Sequence, residues 1–359
     1  MKIGIIIGSL GLGGAERVTV NLSEWWTEKG HSVSIYTTMK KPKNEYGISN
    51  EIRRFECFDA SGKFAIIKKL RKILSTDQPD IVLVMDTPMC VVAVPALLGL
   101  KIPFVVSERS APGTTAIKTA TKLLSHTLMR FADGFVFQTN DAKNYYSTAI
   151  QAKSTIIPNP LLSDRLPEVF LGERDKKVVA VGRLIPAKNY PLLFEAFSLF
   201  SKNHTDFCLE IYGEGVLHET LQRQIDTNYA DCNITLMGAS DDVLDRIKDA
   251  AIFVLSSKIE GMPNALIEAM ALGIPSISTD CPSGGPKDLI VPDENGILVP
   301  NDNASALAEA MQRLADHAEL SHRLGKNAVQ IRQKLDINVT GQAWLDFFNK
   351  AITRGKSNA

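Results

Sequence analysis

Two glutamates flank a short apolar stretch, Glu260-Gly-Met-Pro-Asn-Ala-Leu-Ile-Glu268. Proline suits the first turn of a helix and disturbs later turns, so a helix is predicted to begin near Pro263. This places Glu260 in the preceding loop and Glu268 inside the helix, with the backbone amides of residues 263–265 exposed between them. Carboxylates accept hydrogen bonds from sugar or ribose hydroxyls, and a helix start favours phosphate. The alternative is that Glu260 is a helix-dipole partner and Glu268 a salt-bridge residue on the helix.

Two cations follow a predicted strand in Gly182-Arg183-Leu-Ile-Pro-Ala-Lys188-Asn189. They stand at the carboxyl end of the strand, next to a helix predicted from Tyr190. Arginine and lysine beside a helix start suit a diphosphate. The alternative is a pair of solvated surface charges.

A glycine loop, Gly8-Ser-Leu-Gly-Leu-Gly13-Gly14-Ala-Glu16, separates the first predicted strand from a helix beginning near Gly14. Glycines permit close backbone approach, and the free N–H groups at a helix start attract anions. A nicotinamide-binding protein also needs an acid at the end of its second strand, and here that strand ends Tyr36-Thr-Thr-Met-Lys40. No acid is present at that strand end, which argues against a dinucleotide, and a purely structural strand–helix turn remains the alternative for the loop.

The 359 residues, with 45% hydrophobic and 22% charged side chains, have the composition of an ordinary α/β protein with room for two domains. The 40 basic residues cancel the 40 acidic ones, so no overall basic field indicates nucleic acid. Residues 1–170 carry 21 basic and 15 acidic side chains, and residues 171–359 carry 19 and 25. The first half, at +6, is therefore expected to face something anionic.

The cysteines and the apolar segments indicate the cellular compartment of the protein. Five scattered cysteines without a C-x-x-C pair predict free thiols in a reducing compartment. The opening Met-Lys-Ile-Gly-Ile-Ile-Ile-Gly-Ser is typical of a strand rather than a signal peptide. The apolar stretch 81–106 is interrupted by Asp86, Lys101 and three prolines, and it divides into strand, helix and strand. We therefore expect a cytoplasmic protein.

Short Val, Ile and Phe runs alternate with amphipathic stretches throughout, which is typical of parallel strands joined by crossover helices. The predicted strands of the first half are 2–9, 32–38, 52–57, 80–86, 104–108, 134–139 and 155–158, and those of the second half are 177–184, 207–212, 233–237, 252–257, 276–280 and 296–299. Proline-containing residues 158–175 form the predicted linker. We expect a Rossmann-like domain at 1–165, a second at 166–337 and a final helix at about 338–355 that packs back on the first. In such sheets ligands bind at the carboxyl ends of strands, so the cleft between the domains is the expected site.

Together these motifs resemble those of the retaining nucleotide-sugar glycosyltransferases of family 4, and the resemblance covers essentially the whole chain. It rests on Glu260-x7-Glu268, the Arg183 and Lys188 pair, Gly213-Glu-Gly215 and the Gly13-Gly14 loop. It implies the GT-B fold, two Rossmann-like parallel-sheet domains that face an interdomain cleft. The chain is most similar to bacterial enzymes that extend cell-surface glycans, including N-acetylgalactosaminyltransferases of lipid-linked oligosaccharide assembly.

The resemblance assigns a role to each matching position. Arg183 and Lys188 would neutralise the donor diphosphate, Glu260 would hold hydroxyls of the transferred sugar, and Glu268 would bind the ribose diol. The remaining positions would line the donor, namely Gly13, Gly14, Gly182, Gly213, Leu217, Met237, Gly261, Met262, Pro263 and Asn264. The implied donor is a UDP-sugar, with no other cofactor.

The acceptor is expected to bind the first domain, at Arg17, Glu108, Arg109 and Ser110. Many relatives have Ser-Glu-His where this chain has Ser107-Glu108-Arg109. A permanently charged guanidinium thus replaces an imidazole that can share a proton. Arg109 is accordingly expected to grip an anionic acceptor.

The mechanism implied by the resemblance keeps the anomeric configuration, by attack of the acceptor on the face from which the phosphate leaves. No Asp-x-Asp triplet occurs in the sequence, so no obvious carboxylate pair presents Mg²⁺ or Mn²⁺ to a diphosphate. We therefore expect a metal-independent transfer, in which the cations and amides stabilise the leaving group.

Two predicted helices of the first half, Lys63–Leu74 and Lys118–Arg130, combine apolar and basic side chains. Basic amphipathic helices lie on anionic bilayer surfaces or hold a lipid diphosphate. The alternative is a helix with its apolar stripe in the core and its lysines in water. The first interpretation predicts a peripheral enzyme on the cytoplasmic face of the inner membrane, acting on a saccharide or polyprenyl-diphosphate-saccharide acceptor.

Other classes remain as alternatives. A nicotinamide oxidoreductase is opposed by the absent ribose acid. A sugar-nucleotide epimerase or a phosphorylase would share the architecture, and a sugar-nucleotide binding protein without activity would have little use for the complete set of charged residues.

Overall fold

The computed structural model describes residues 1–109, 111–112 and 119–357. The chain divides into two compact units, one formed by Met1–Pro160 with Leu335–Ala359 and the other by Leu161–Lys334. These divisions lie a few residues before the predicted ones at 165 and 337. Residues from 161 onward already pack within the second unit, where the Ser163 hydroxyl donates a hydrogen bond to the Arg332 carbonyl.

In the first unit, the described residues form a sheet of seven parallel strands in the order β3-β2-β1-β4-β5-β6-β7. The strands are β1 (Lys2–Ile7), β2 (Ser32–Thr37), β3 (Arg53–Glu56), β4 (Ile81–Met85), β5 (Phe104–Ser107), β6 (Gly134–Phe137) and β7 (Ser154–Ile156). Central strands such as β4 are buried along their whole length, because helices cover both faces of the sheet.

The helices of this part are α1 (Gly14–Glu28), α2 (Lys63–Asp77), α3 (Cys90–Leu97), α4 (Thr119–Leu128), α5 (Asn140–Asn144) and α6 (Thr148–Gln151). Helix α3 packs between α2 and α4 on one face of the sheet. Ile66, Leu70 and Leu74 point from α2 into the core beneath. Residue 118, where the sequence predicts the start of α4, lies outside the described residues.

The described second unit contains a sheet of six parallel strands in the order β10-β9-β8-β11-β12-β13. Its strands are β8 (Asp175–Val181), β9 (Cys208–Tyr212), β10 (Ile234–Gly238), β11 (Ala250–Leu255), β12 (Ser276–Asp280) and β13 (Ile297–Pro300). Its helices are α7 (Tyr190–Phe200), α8 (His218–Asn228), α9 (Val243–Ile247), α10 (Asn264–Ala271), α11 (Gly285–Leu289), α12 (Ala304–Asp316), α13 (Ala318–Ala328) and α14 (Ile331–Lys334). Phe194, Phe197 and Phe200 of α7 anchor the core.

The final helix, α15 (Ile337–Ser357), returns to the first unit and packs against α1 and β5. Trp344 and Phe348 are fully buried against Trp26, and the rings of the two tryptophans lie edge to face at 6.4 Å. Val339, in the first turn of the same helix, is exposed.

Every strand predicted from the sequence is present among the described residues, with ends shifted by a few residues. The prediction of two parallel-sheet, Rossmann-like domains is therefore confirmed. In each sheet the first three strands in the chain lie side by side, and the fourth strand pairs with the free side of the first one. β4 therefore pairs with β1, and β11 pairs with β8. Ligands of open α/β sheets bind at the carboxyl ends of strands where the order reverses in this way.

Candidate active site

The reversal point of the second sheet brings the two charged motifs together. β8 ends at Val181, directly before Gly182 and Arg183, while the neighbouring β11 ends at Leu255, shortly before Glu260. Because the two strands are parallel, the loops that follow them emerge at the same edge of the sheet. Arg183 and Glu260, which are almost 80 positions apart in sequence, thus lie at the same carboxyl end of the sheet.

The loop that carries Lys188 is fixed by its neighbours. Pro186–Lys188 form one turn of 3₁₀ helix, and Asn189 follows in the left-handed region with φ 51°. The Asn189 side chain donates to Asp302 Oδ1 at 2.9 Å, and the Lys188 carbonyl accepts from the Ser256 hydroxyl at 2.9 Å. These bonds hold the backbone of the cation in place from two sides.

Lys188 and Glu260 form an ion pair, with 2.6 Å between Lys188 Nζ and Glu260 Oε1. Their side chains are 17% and 14% exposed, so the pair is largely shielded from water. The Ser257 hydroxyl donates to the same carboxylate oxygen at 2.6 Å. Sequence reasoning assigned Lys188 and Glu260 to separate groups of the ligand and missed both their pairing and the serine.

Arg183 differs from Lys188 in its surroundings. Its side chain is exposed, and within the described part of the chain no hydrogen bond or ion pair engages the guanidinium. One of the two predicted diphosphate cations is therefore already neutralised by a carboxylate, and the other is available to an incoming anion.

Close backbone packing surrounds these side chains. Gly182 N–H donates to the Tyr212 carbonyl and Gly213 N–H to the Gly238 carbonyl, which aligns the ends of β8, β9 and β10. Gly213 has φ 144°, and a Cβ added there would lie 2.1 Å from the Gly182 carbonyl oxygen. Only glycine fits this position. Leu217 and Met237, also predicted to line the donor, lie next to this edge, and the Met237 side chain is partly exposed.

Helix α10 begins at Asn264, with Pro263 as the preceding cap residue at φ −79° and ψ 104°. The prediction of exposed amides at residues 263–265 is therefore wrong for the first of them, because proline carries no N–H and lies outside the helix. The available amides start at Asn264. Glu268 lies within α10 as predicted and is buried, as is Met262 in the preceding loop.

A second loop, residues 281–285 after β12, lies against the Glu260 loop and was missed from the sequence. Glu260 N–H donates to the Pro282 carbonyl at 2.7 Å, and Ser283 N–H donates back to the Glu260 carbonyl at 2.9 Å. A Cβ on Gly285 would lie 1.8 Å from the Gly261 carbonyl oxygen. The pair Gly284-Gly285 followed by a helix-starting proline is the sequence signal that marks this loop.

Cys281, in that loop, does not supply a nucleophile. Burial, together with the Glu260 charge, raises the pKa of its thiol to about 12. The thiolate is therefore essentially absent at neutral pH.

In the first unit, the glycine loop lies at the reversal point between β1 and β4. Gly13 is the residue before α1 and Gly14 is its first residue. The segment after β2 folds onto the loop, with hydrogen bonds from Met39 N–H to the Gly8 carbonyl and from Tyr46 N–H to the Leu10 carbonyl. Arg17 lies in the first turn of α1 and is half-buried.

Glu108 and Arg109 follow β5 at the same edge and are both buried. Glu108 Oε2 accepts from the Thr87 hydroxyl at 2.5 Å and from the Tyr146 hydroxyl at 2.6 Å. Arg109 Nη2 donates to Asn159 Oδ1 at 2.7 Å, and burial lowers the pKa of Arg109 to about 10, which leaves it charged at neutral pH. An acceptor would reach either group only by exchanging these bonds. Ser110, the fourth predicted acceptor residue, lies outside the described residues.

Within residues 1–109, 111–112 and 119–357, no three or more His, Cys, Asp or Glu side chains are grouped as a metal site requires. The helices of this described part are also too short or too polar to span a bilayer.

Two family models match adjacent parts of the chain. The model described as Glycosyltransferase Family 4 matches residues 12–165, and the model described as Glycosyl transferases group 1 matches residues 165–331. The first contains the glycine-loop residues Gly13 and Gly14, and the second contains the charged motifs that meet between β8 and β11.

Two Campylobacter jejuni proteins are similar over nearly the whole chain. One, named GalNAc-alpha-(1->4)-GalNAc-alpha-(1->3)-diNAcBac-PP-undecaprenol alpha-1,4-N-acetyl-D-galactosaminyltransferase, is 26% identical and covers 96% of this chain and 97% of its own length. The other, named N-acetylgalactosamine-N,N'-diacetylbacillosaminyl-diphospho-undecaprenol 4-alpha-N-acetylgalactosaminyltransferase, is 28% identical and covers 93% and 95%. The similarity therefore extends through both units.

Among solved structures, Anabaena HepE in complex with UDP superimposes with a TM-score of 0.82 at 16% identity, over 97% of this chain and 100% of HepE. The lipopolysaccharide outer core galactosyltransferase WaaB, in its apo form, gives a TM-score of 0.75 at 21% identity over 98% of this chain and 99% of its own. These likenesses confirm the predicted GT-B fold.

Proposed function

Because the chain belongs to the family 4 glycosyltransferases, we propose that it transfers a hexose or N-acetylhexosamine from a UDP-sugar to a hydroxyl of a lipid-linked saccharide. The transfer would serve bacterial surface-glycan synthesis and retain the anomeric configuration. The observation that carries the proposal is the arrangement between β8 and β11, where Lys188 and Glu260 are paired and Arg183 stands free in the described structure.

Each charged group of the site has a task in this reaction. When the bond between the anomeric carbon and the diphosphate breaks, negative charge develops on the phosphate and positive charge on the sugar ring. Arg183, Lys188 and the first-turn amides of α10 stabilise the departing diphosphate without a metal ion. Glu260 accepts hydrogen bonds from sugar hydroxyls, and Glu268 from the ribose diol.

The bond changes balance without a separate base on the enzyme. The acceptor oxygen forms the new bond to the anomeric carbon on the face from which the phosphate departs. Its proton passes to the phosphate oxygen that leaves, so the products are the extended saccharide and UDP. Cys281, whose pKa is raised to about 12, takes no part.

The choice of substrates is supported by the relatives. The two Campylobacter jejuni enzymes are named for undecaprenol-diphosphate-linked saccharides, and HepE was solved with UDP. The excess of basic residues in the first half of this chain suits an acceptor that carries a diphosphate.

A substrate panel tests the proposal. The purified protein is incubated with several nucleotide sugars and polyprenyl-diphosphate saccharides, with and without a chelator, and the products are identified by mass. We expect one UDP-sugar to be consumed only when an acceptor is present, at the same rate with chelator. Consumption without an acceptor would indicate an epimerase, and activity that returns only with a divalent ion would contradict the metal-independent mechanism.

We further propose that the protein works at the cytoplasmic face of the membrane, with α2 and α4 toward anionic lipid. Phe64 on α2 is 82% exposed and Leu123 on α4 is 70% exposed, although α2 also buries Ile66, Leu70 and Leu74 in the core. Lys68 and Lys72 are exposed one turn apart on α2. An outward aromatic side chain among basic residues is typical of a helix that lies on a bilayer surface.

A charge reversal tests this surface. We expect Lys68→Glu with Lys72→Glu to lower co-sedimentation with vesicles containing anionic lipid about tenfold or more, since each basic residue near such a surface contributes roughly 1 kcal/mol. The matched control is Lys202→Glu with Lys326→Glu, two exposed lysines of the second unit that change the net charge equally. Wild-type binding that does not depend on anionic lipid, or equal losses in both variants, would contradict the proposal.

A further inference from the structure

Two serines directly after β11, Ser256 and Ser257, are buried where the charged loops meet. A buried hydroxyl needs hydrogen-bond partners, because leaving it unpaired costs free energy. Here both partners belong to the proposed donor site. Ser256 donates to the Lys188 carbonyl at 2.9 Å, and Ser257 donates to Glu260 Oε1 at 2.6 Å.

The position of Ser257 is itself fixed from behind. The hydroxyl of Thr279, a buried residue of β12, donates to the Ser257 carbonyl at 2.6 Å. The serine therefore joins a rigid part of the sheet to the carboxylate of a loop residue. Such a contact restricts the orientation of the carboxylate more than a contact between two loops would.

The two oxygens of Glu260 are used differently. Oε1 receives both Lys188 Nζ and the Ser257 hydroxyl, each at 2.6 Å. No hydrogen bond from the described residues reaches Oε2, and the Glu260 side chain is 14% exposed. One oxygen thus anchors the side chain, and the other is available to a hydroxyl of a bound sugar.

Once the donor is bound, two anionic groups can pair with Lys188, the Glu260 carboxylate and the donor diphosphate. It is paired with Glu260 in this structure, and the proposed function also requires it at the donor diphosphate. A diphosphate carries more charge than one carboxylate and draws the ammonium group away from Oε1. Ser257 is neutral, so a diphosphate does not attract it in the same way.

We propose that Ser257 is a positioning residue that keeps Glu260 directed at the transferred sugar after Lys188 has turned to the diphosphate. The inference rests on the proposed function, because it concerns the same donor site. It predicts that Ser257 acts on the sugar portion of the donor and leaves recognition of the nucleotide unchanged.

The test compares binding of UDP with turnover of the UDP-sugar that the panel identifies. We expect Ser257→Ala to lower kcat/KM about tenfold, the effect of one hydrogen bond to a charged group, with the Kd of UDP within about twofold of wild type. Ser257→Cys keeps the size with a weaker donor, and its kcat/KM should fall between those of wild type and Ser257→Ala.

Two further serine variants provide matched controls. Ser256→Ala loosens the backbone of Lys188 and should weaken UDP and UDP-sugar alike. Ser276→Ala removes a buried hydroxyl that donates to the Ile274 carbonyl at the amino end of β12, at the opposite edge of the sheet. It should lower Tm without changing kcat/KM.

The outcomes separate this inference from the function on which it rests. Wild-type protein that uses no UDP-sugar contradicts the proposed function. If the wild type is active, three results would overturn only the role of Ser257. These are an unchanged kcat/KM in Ser257→Ala, equal losses of UDP and UDP-sugar binding in that variant, and a kcat/KM of Ser257→Cys no higher than that of Ser257→Ala. Melting temperatures of all variants identify a loss that is due to misfolding, and in that case the cysteine variant decides.

Discussion

Lys188→Ala is expected to lower kcat/KM by about a hundredfold or more, the loss seen when one well-placed electrostatic donor is removed from an active site. The substitution has two effects in this structure. It removes a cation from the leaving diphosphate, and it leaves the carboxylate of Glu260, 14% exposed, without its ion-pair partner. An uncompensated negative charge next to a diphosphate weakens binding of UDP as well as turnover. Steady-state kinetics and UDP titration measure the two losses separately.

The matched control for this variant is Lys177→Ala. Lys177 lies on β8, at the edge opposite Lys188, and it also forms a half-buried ion pair, 2.8 Å from Asp249. Its loss should lower the free energy of unfolding and leave kcat/KM near the wild-type value. Equal kinetic losses in the two variants would show that any broken ion pair in this unit reduces activity, and the role of Lys188 at the diphosphate would be contradicted.

The strands of the two sheets could be predicted from the sequence, because each strand is marked by a local run of apolar residues. Apolar runs such as Ile81–Met85, separated by amphipathic stretches, predict parallel strands with crossover helices. Once the strands are placed, the residues that follow them must lie at the carboxyl edge of a sheet. This is why Arg183, Lys188 and Glu260 could be assigned to the carboxyl end of the second sheet from the sequence.

The pairing of those residues could not be predicted in the same way. Whether a lysine faces solvent, a ligand or a carboxylate depends on rotamers and on loops distant in sequence. Lys188 and Glu260 meet only because β8 and β11 are neighbours in the sheet, and Ser257 joins them because its hydroxyl turns toward the carboxylate. A serine has too many ordinary uses for its sequence position to indicate this contact.

Arg109 shows the same limit in the first unit. The sequence has an arginine after β5, at a position where the resemblance implies a residue that grips an anionic acceptor. In the structure it is buried, because Asn159 and Ser107 accept hydrogen bonds from its guanidinium. Asn159 lies 50 residues away, at the end of the segment Met1–Pro160, and nothing local to Arg109 indicates that contact.

Glu260→Gln is the complementary change and should also lower kcat/KM by about a hundredfold or more, but with the opposite effect on the nucleotide. The amide oxygen can still accept a hydrogen bond from Ser257, and the NH₂ group then takes the place of Oε2. A donor there cannot accept a hydrogen bond from a sugar hydroxyl. Lys188, freed from its carboxylate, remains available to the diphosphate. We therefore expect UDP to bind as tightly as to wild type or more tightly, while transfer is lost.

The opposite effects of the two variants on UDP binding distinguish Glu260, which is proposed to contact the sugar, from Lys188, which is proposed to contact the diphosphate. Glu210→Gln serves as the control, because Glu210 is a half-buried carboxylate that accepts from the Tyr212 hydroxyl at 2.7 Å and lies within β9, away from the loops of the site. The kcat/KM of this control should stay near that of wild type.

In the Lys188→Ala, Glu260→Gln double variant, the combined loss of kcat/KM should be smaller than the product of the two single losses, because each single change leaves the other charge unpaired. Near-normal turnover in both single variants would remove Lys188 and Glu260 from the active site, and fully multiplicative losses would mean that the ion pair between them has no role in the reaction.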